Sequence, residues 1–215
     1  MLVALGVSET LIELKFTQEI KTLNLTWNPW QPDKLIPESM INFPNDYAIL
    51  VSPYSWRKNR PLAINSILEL RKFPGLSSLH LLIVGDELSL DETSKVNSAE
   101  LQFVSFVQGV SDKQLKKLYE NSRFCIVTSK YEGYGLPILE ANSLGIRCLH
   151  NELPSFMEIT NSHNIVVKEP LENNDWPAIA RLVKNFEKSS RLAEITNERF
   201  GYKIFKTNLN REYFL

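Results

Sequence analysis

The chain has 215 residues, of which 43% are hydrophobic and 10% aromatic, enough for a sizeable core in one large or two small domains. Its formal net charge of −1 and pI near 6.3 lack the basic footprint of a nucleic-acid-binding protein. Its apolar runs are far shorter than the roughly 20 residues of a membrane span, and residues 1–7 do not have the basic start of a signal peptide. We therefore expect a cytoplasmic protein that binds no nucleic acid.

The first 46 residues are organised differently from the rest. Residues 2–7 and 22–27 have the pattern of strands, and a helix is predicted to begin after Ser8 and to run to about Ile20. Four prolines then interrupt regular structure in residues 28–46, which predicts a linker. We expect a domain boundary there.

From residue 47 onward, predicted strands and helices alternate. The predicted strands are 47–52, 79–84, 101–107, 124–127, a strand ending at 150, and 164–167. The predicted helices are 59–73, 111–120, one that begins near Pro137, 175–188, and 191 to about 211. Either Ser111 or Asp112 caps the second of these helices. Alternation of this kind predicts an α/β fold with a doubly wound, Rossmann-like parallel sheet.

The two cysteines, Cys125 and Cys148, both fall in predicted strands. Buried free thiols in a reducing compartment are expected, although adjacent strands would bring them close together. The three histidines do not have the spacing of metal ligands. We expect no metal site.

The stretch from 123 to 150 predicts a strand, a loop, a helix and another strand. Pro137 suits the first turn of a helix, and Gly145 suits its end. The loop carries Gly133 and Gly135, so a glycine-lined turn leads into a helix N-terminus at the carboxyl end of a strand. Sheets of this class bind anions at such positions, although a bare Gly-x-Gly also occurs in ordinary turns.

The helix after this loop has a predicted packing face made of Leu136, Leu139 and Leu144. Two acidic residues, Glu132 and Glu140, lie eight positions apart across the loop and the first helical turn. Neither is needed to form the turn. Each has an alternative explanation, since Glu is favourable near a helix N-terminus and common in exposed loops.

Residues 132–141, Glu-Gly-Tyr-Gly-Leu-Pro-Ile-Leu-Glu-Ala, resemble the Glu-x7-Glu signature of retaining, GT-B-fold glycosyltransferases of family 4. The segments 84–86, 112–119 and 145–149 are similar to further stretches of that family in the same order. The resemblance implies the C-terminal, donor-binding half of a GT-B fold. It also implies that residues 1–27 are a remnant of the acceptor-side domain, that 28–46 are the interdomain linker, and that the chain is truncated or split.

The resemblance implies roles for the two carboxylates and for the loop between them. Glu140 would accept hydrogen bonds from ribose hydroxyls, and Glu132 would contact the sugar or the reacting phosphate region. Backbone amides would bind the diphosphate, and they belong to Gly133, Tyr134, Gly135 and Leu136.

The family also has an arginine and a lysine after the first strand of this domain, which bind the leaving diphosphate and stabilise charge as the glycosidic bond breaks. The resemblance therefore implies catalytic roles for Lys58 and Glu132 and a donor-binding role for Arg57. Lys58 falls on the lysine, but Pro53, or Ser52 if the loop is one residue longer, falls on the arginine. Arg57 or Arg60 would have to replace the missing charge. Loss of one charge-assisted phosphate contact would cost about 1.5–3 kcal/mol. The absence of the arginine therefore affects the expected sugar transfer more than the expected donor binding.

We expect a hexosyltransferase-type enzyme that uses a nucleotide diphosphate sugar, with no cofactor and no metal, and transfers the sugar with retention. The acceptor would be a sugar, a lipid-linked sugar or a polysaccharide. The alternative is a non-catalytic nucleotide-sugar-binding subunit that needs a separate N-terminal partner chain. The basic, aromatic tail at 200–215 would pack on the missing domain, or lie on the inner face of a membrane.

Overall fold

The computed structural model describes residues 44–53, 55–96 and 98–201. The six strands are β1 Tyr47–Val51, β2 His80–Val84, β3 Val104–Val107, β4 Phe124–Val127, β5 Cys148–Asn151 and β6 Ile165–Val167. The α-helices are α1 Arg60–Arg71, α2 Leu90–Thr93, α3 Asp112–Asn121, α4 Leu136–Ser143, α5 Pro154–Ile159, α6 Trp176–Lys184 and α7 Ser190–Phe200. Short 3-10 helices occupy Trp56–Lys58, Ser98–Phe103 and Leu171–Asn173. The elements predicted for residues 2–27, most of the predicted linker, and the tail beyond 201 lie outside the described residues.

All six strands are parallel, in the order β3-β2-β1-β4-β5-β6. The central strand β1 pairs with β2 on one side and with β4 on the other, so that Ile49 lies between Leu82 and Cys125. The predicted doubly wound parallel sheet is confirmed. The order reverses between β1 and β4, which makes their carboxyl ends the topological switch point of the sheet.

The sheet has a buried apolar layer on each face, as a parallel sheet requires. Ala48 and Leu50 of β1 point to a layer that includes α1 and α6, whereas Tyr47 and Ile49 point to the opposite one. Helices α3, α4, α5 and α7 cover this second face. The glycine-lined loop therefore runs from the carboxyl end of β4 to α4, which covers this second face.

Several local predictions change. The last helix, predicted to run to about residue 211, ends at Phe200. Residues 98–103 form a 3-10 helix where the start of a strand was predicted, and in this helix Leu101 packs against the core and Phe103 is buried in it. Helix α5 was not predicted, although Pro154 at its start and the buried pair Phe156 and Ile159 have helical spacing. Leu136 is 42% exposed, so its predicted place on the packing face is wrong. It is the first residue of α4, where the helix emerges at the sheet edge.

Two other predictions become definite. Ser111 is the N-cap of α3, in a capping box with Gln114. Cys125 and Cys148 are direct partners in β4 and β5, and both are buried and free.

Candidate functional site

The loops that follow β1 and β4 meet at the switch point of the sheet. The Lys130 amide donates to the Arg57 carbonyl at 2.6 Å. The buried Thr128 hydroxyl donates to the Asn59 carbonyl at 3.1 Å. These two bonds join loops that are about 70 residues apart in sequence, and they hold the end of the Trp56–Lys58 turn beside the loop that precedes α4.

The joined loops bring Lys58 and Glu132 together. Their side chains form an ion pair, and about 18% and 16% of the two side chains remain exposed. The Glu132 carbonyl also accepts a 2.8 Å bond from the Ser155 hydroxyl in the first turn of α5. Lys58 and Glu132, the two residues with predicted catalytic roles, are thus neighbours on a partly exposed surface, and the Ser155 bond connects Glu132 to α5.

The glycine-lined turn is shaped by packing beneath it. Gly135 is the N-cap of α4 and has a left-handed φ of +88°. A Cβ atom there would lie 2.9 Å from Phe156 and from Ile159 of α5. Only glycine therefore fits this position, and α4 begins close to α5 for that reason.

The first turn of a helix contains backbone amides that have no acceptor within the helix. At the start of α4 these are the amides of Gly135 and Leu136, because Pro137 has no N–H and the Ile138 amide donates to the Gly135 carbonyl at 3.0 Å. They belong to the loop in which Gly133 and Leu136 are partly or largely exposed. The Tyr134 side chain is 5% exposed, and burial raises its pKa to about 12. Its ring packs in the core on the second face of the sheet, and the role that the sequence assigned to Tyr134 uses its backbone amide.

Glu140 lies one turn into α4 with a largely buried carboxyl group. The Tyr119 hydroxyl of α3 donates to its Oε2 atom at 2.7 Å. Burial raises the pKa of Glu140, and the Asp112 carboxylate adds to this effect, whereas the Tyr119 hydrogen bond and the Lys58 charge oppose it. Lys58 therefore acts electrostatically on both glutamates of the motif.

Tyr119 was missed in the sequence. It is completely buried, and its ring belongs to the apolar face of α3. The available signal was chemical, because a phenol on a buried helix face needs a hydrogen-bond partner. The pattern of the sequence did not show that this partner is Glu140.

Arg60 does not replace the missing arginine. Its guanidinium group is fully buried and donates to the two carboxylate oxygens of Glu92 at 2.8 and 2.5 Å. It also donates to the carbonyls of Asp86 at 2.5 Å and Glu87 at 3.1 Å. These bonds tie the loop after β2 to the start of α1.

Pro53 is exposed at the edge of the site, so the position of the family arginine carries no charge. Arg57 is also exposed, and its guanidinium makes only a long 3.5 Å contact with Ser55 among the described residues. Arg57 is therefore the cation of this loop that remains available to a ligand.

The part of the chain that the structure describes contains no group of three or more His, Cys, Asp or Glu residues arranged to hold a metal ion. Across the same ranges, none of the helices combines the length and the apolar character needed to cross a membrane.

The Rossmann-like sheet has cationic and acidic side chains at its switch point, which is where sheets of this class bind their ligands. The family model for group 1 glycosyl transferases matches residues 33–206. The chain belongs to this family.

Known proteins of this kind are similar to the chain over part of their length. An uncharacterized glycosyltransferase of Sulfolobus islandicus rod-shaped virus 1 is 28% identical over 144 residues, which cover 63% of this chain and 42% of that protein. The lipopolysaccharide outer core galactosyltransferase WaaB superposes with a TM-score of 0.63 and 19% identity, over 99% of this chain and 60% of that one. The pneumococcal O-GlcNAc transferase GtfA, solved with UDP and GlcNAc, has a TM-score of 0.60 and 18% identity, over 83% of this chain and 37% of its own.

The chain thus spans less than two thirds of the length of each of these proteins. The structural matches show the GT-B type of fold.

Proposed function

We propose that this chain binds a nucleotide diphosphate sugar at the switch point and that the whole protein transfers the sugar to an acceptor hydroxyl with retention. One observation supports this most directly. Lys58 and the motif that carries Glu132 and Glu140 come from two separate parts of the sequence, and Lys58 pairs with Glu132 and acts electrostatically on Glu140 at the start of α4.

The positive side of the site would bind the diphosphate. The amides at the start of α4 and the positive end of its dipole attract an anion, and Lys58 and Arg57 are close to the loop that presents them. Lys58 is paired with a partly exposed carboxylate, so a phosphate group can compete for its ammonium group. Such contacts stabilise negative charge on the leaving diphosphate as the glycosidic bond breaks.

The acidic side of the site would bind hydroxyl groups. An ionised carboxylate has only acceptor positions, and a sugar or ribose diol supplies donors to match them. Glu140, which is largely buried one turn into α4, is our candidate for the ribose hydroxyls, and Glu132 is our candidate for the sugar beside the reacting phosphate. Neither role needs a metal ion or a cofactor.

The acceptor we propose is a sugar, a lipid-linked sugar or a polysaccharide. Two observations on other proteins support this chemistry. The structure of GtfA holds UDP and GlcNAc, and WaaB is a lipopolysaccharide outer core galactosyltransferase.

A second function, nucleotide-sugar binding without transfer, is favoured by one observation. The position of the family arginine is an exposed proline, and Arg60 is occupied by Glu92. In that case a separate N-terminal partner chain would supply what transfer requires. Sugar transfer or donor hydrolysis by the purified chain alone would exclude this second function.

Calorimetric titration with UDP, GDP and ADP, and then with their sugar derivatives, tests donor binding. We expect one base to be preferred and Glu140→Ala to weaken its binding at least about tenfold. Glu187→Ala is the matched control, because Glu187 is exposed and the adjacent Phe186 packs on Phe124 at the amino end of β4, away from the switch point. The proposal fails if no nucleotide binds, or if Glu140→Ala binds as tightly as the control.

A further inference from the structure

We propose that Tyr119 is a positioning residue of the donor site, whose hydroxyl fixes the Glu140 carboxylate in the orientation and charge state that donor hydroxyls require. This inference rests on the proposed donor-binding function of Glu140. It adds a residue that does not touch the donor and lies in another helix.

The geometry separates the two oxygens of the carboxylate. Tyr119 donates to Oε2 at 2.7 Å, across 21 residues of sequence and between α3 and α4. Within the described ranges, no hydrogen bond reaches Oε1. One oxygen is thus fixed by the protein, and the other keeps its acceptor capacity for a ligand.

A second buried tyrosine shows what a structural hydroxyl does in this core. Tyr47 of β1 donates to the Leu118 carbonyl at 2.8 Å, so its hydroxyl satisfies the backbone of α3. Tyr119, the next residue of the same helix, directs its hydroxyl to an ionisable side chain at the site. The two phenols are therefore a matched pair with different partners.

The electrostatic surroundings explain why Glu140 needs this donor. Burial and the Asp112 carboxylate raise the pKa of Glu140, while Tyr119 and Lys58 lower it. The buried thiol of Cys125 also lies within electrostatic range, on β4 beneath α4. Removal of the Tyr119 hydroxyl would leave Lys58 as the one group that favours the ionised form, and the pKa of Glu140 would rise further.

The first experiment compares Tyr119→Phe with Tyr47→Phe in nucleotide titrations from mildly acidic to neutral pH. We expect Tyr119→Phe to weaken binding about tenfold and to shift the loss of binding at acidic pH toward neutral. Tyr47→Phe should keep the wild-type pH profile even where it lowers stability. A Tyr119→Phe protein whose profile overlays that of Tyr47→Phe overturns the inference.

The second experiment needs no nucleotide. The carboxyl carbon of Glu140 is followed by NMR as pH changes, with Glu140→Gln used to assign its signal. We expect Tyr119→Phe to raise the pKa of Glu140 and Tyr47→Phe to leave it unchanged. An unchanged pKa in Tyr119→Phe also overturns the inference. If the wild-type protein binds no nucleotide, the proposed function fails, while this measurement still decides whether Tyr119 controls Glu140.

Discussion

Two ion pairs lie at the start of α1. Their cations, Lys58 and Arg60, are two residues apart in sequence, but one pair is partly exposed and the other is buried. Lys58 pairs with Glu132 through one ammonium group at the partly exposed carboxyl ends of the strands, and we call this the edge pair. Arg60 pairs with Glu92 inside the protein through two hydrogen bonds, and we call this the buried pair. The guanidinium group also donates to two backbone carbonyls. Arg60 has 0% side-chain exposure, whereas Lys58 has 18%.

The difference shows which cation a ligand can recruit. A guanidinium with four acceptors in a dry environment gains nothing from a phosphate, and separating it from Glu92 would leave a buried charge. A single ammonium beside one carboxylate can exchange partners at little cost. The buried pair therefore holds the loops in place, whereas the edge pair can exchange partners with a ligand.

The largest expected effect comes from breaking the buried pair. Glu92→Gln leaves the Arg60 charge without its counterion, and we expect a loss of about 3–5 kcal/mol in the free energy of unfolding. Urea unfolding measures it. Asp91→Asn is the control, because Asp91 pairs with Lys95 on the surface at 2.5 Å and should change stability by less than about 1 kcal/mol. Equal effects of the two variants would contradict the structural role of the buried pair.

The buried pair should also make stability depend on pH. Burial raises the pKa of Glu92, but the hydrogen bonds and charge of Arg60, together with bonds from Ser89, outweigh this and lower it. A lowered folded-state pKa stabilises the protein above the ordinary carboxyl pKa, and the stabilisation is lost as pH falls through the folded value. Glu92→Gln should remove this part of the acid sensitivity, which unfolding curves at several acidic pH values would show.

Breaking the edge pair should affect binding more than stability. Lys58→Met removes the ammonium from the start of α4, and we expect nucleotide diphosphate binding to weaken about 10- to 100-fold. The free energy of unfolding should change by about 1 kcal/mol or less. Lys72→Met, which removes a surface lysine paired with Glu69 at 2.6 Å, should leave binding intact. A Lys58→Met protein as unstable as Glu92→Gln would remove the distinction between the two pairs.

Glu140 sharpens the comparison, because its pKa shift has the sign opposite to that of Glu92. Burial raises the pKa of Glu140, so its ionised form opposes folding at neutral pH. As pH falls through the raised value, the folded protein takes up a proton before the unfolded chain does and gains stability. Glu140→Gln should therefore be more stable than wild type at neutral pH, with a difference that shrinks on acidification, while nucleotide binding falls. Thermal unfolding across pH checks the sign, and a less stable Glu140→Gln protein at neutral pH would contradict it.

The smallest expected effect concerns Asn59, which lies between the two cations. It caps α1 with left-handed angles, φ 47° and ψ 47°, and its side chain donates to Glu169 at 2.8 Å. Asn59→Ala should cost about 1 kcal/mol because Ala is strained in this conformation, whereas Asn59→Gly should be nearly neutral. Urea unfolding distinguishes them. If the Ala and Gly variants have the same free energy of unfolding, backbone strain at the left-handed cap between the two cations does not explain the loss.

Much of the fold could be predicted because its signals are local. Continuous apolar runs gave β1, β2 and β4 almost to the residue, and Pro137 and Gly145 marked the helix between β4 and β5. The motif between Glu132 and Glu140 lies within one loop and one helix, so its position relative to the sheet also followed from the sequence.

The partners across the site could not be predicted, because they are fixed by packing between distant segments. Lys58 and Glu132 are 74 residues apart, Arg60 and Glu92 are 32, and Tyr119 and Glu140 are 21. Arg57 and Arg60 were equivalent candidates from spacing alone. Only the burial of Arg60 beside Glu92 separates a structural cation from an available one.

The central place of β1 has a consequence for how the protein is made. During synthesis β1 can pair with β2 as soon as both emerge, but its other edge stays open until β4 follows, since Ile49 pairs with Cys125. An open apolar strand edge is the part of a growing chain most prone to wrong pairing. The switch point, where we propose that the ligand binds, lies between β1 and β4, so it cannot form before β4 and the start of α4 have been synthesised.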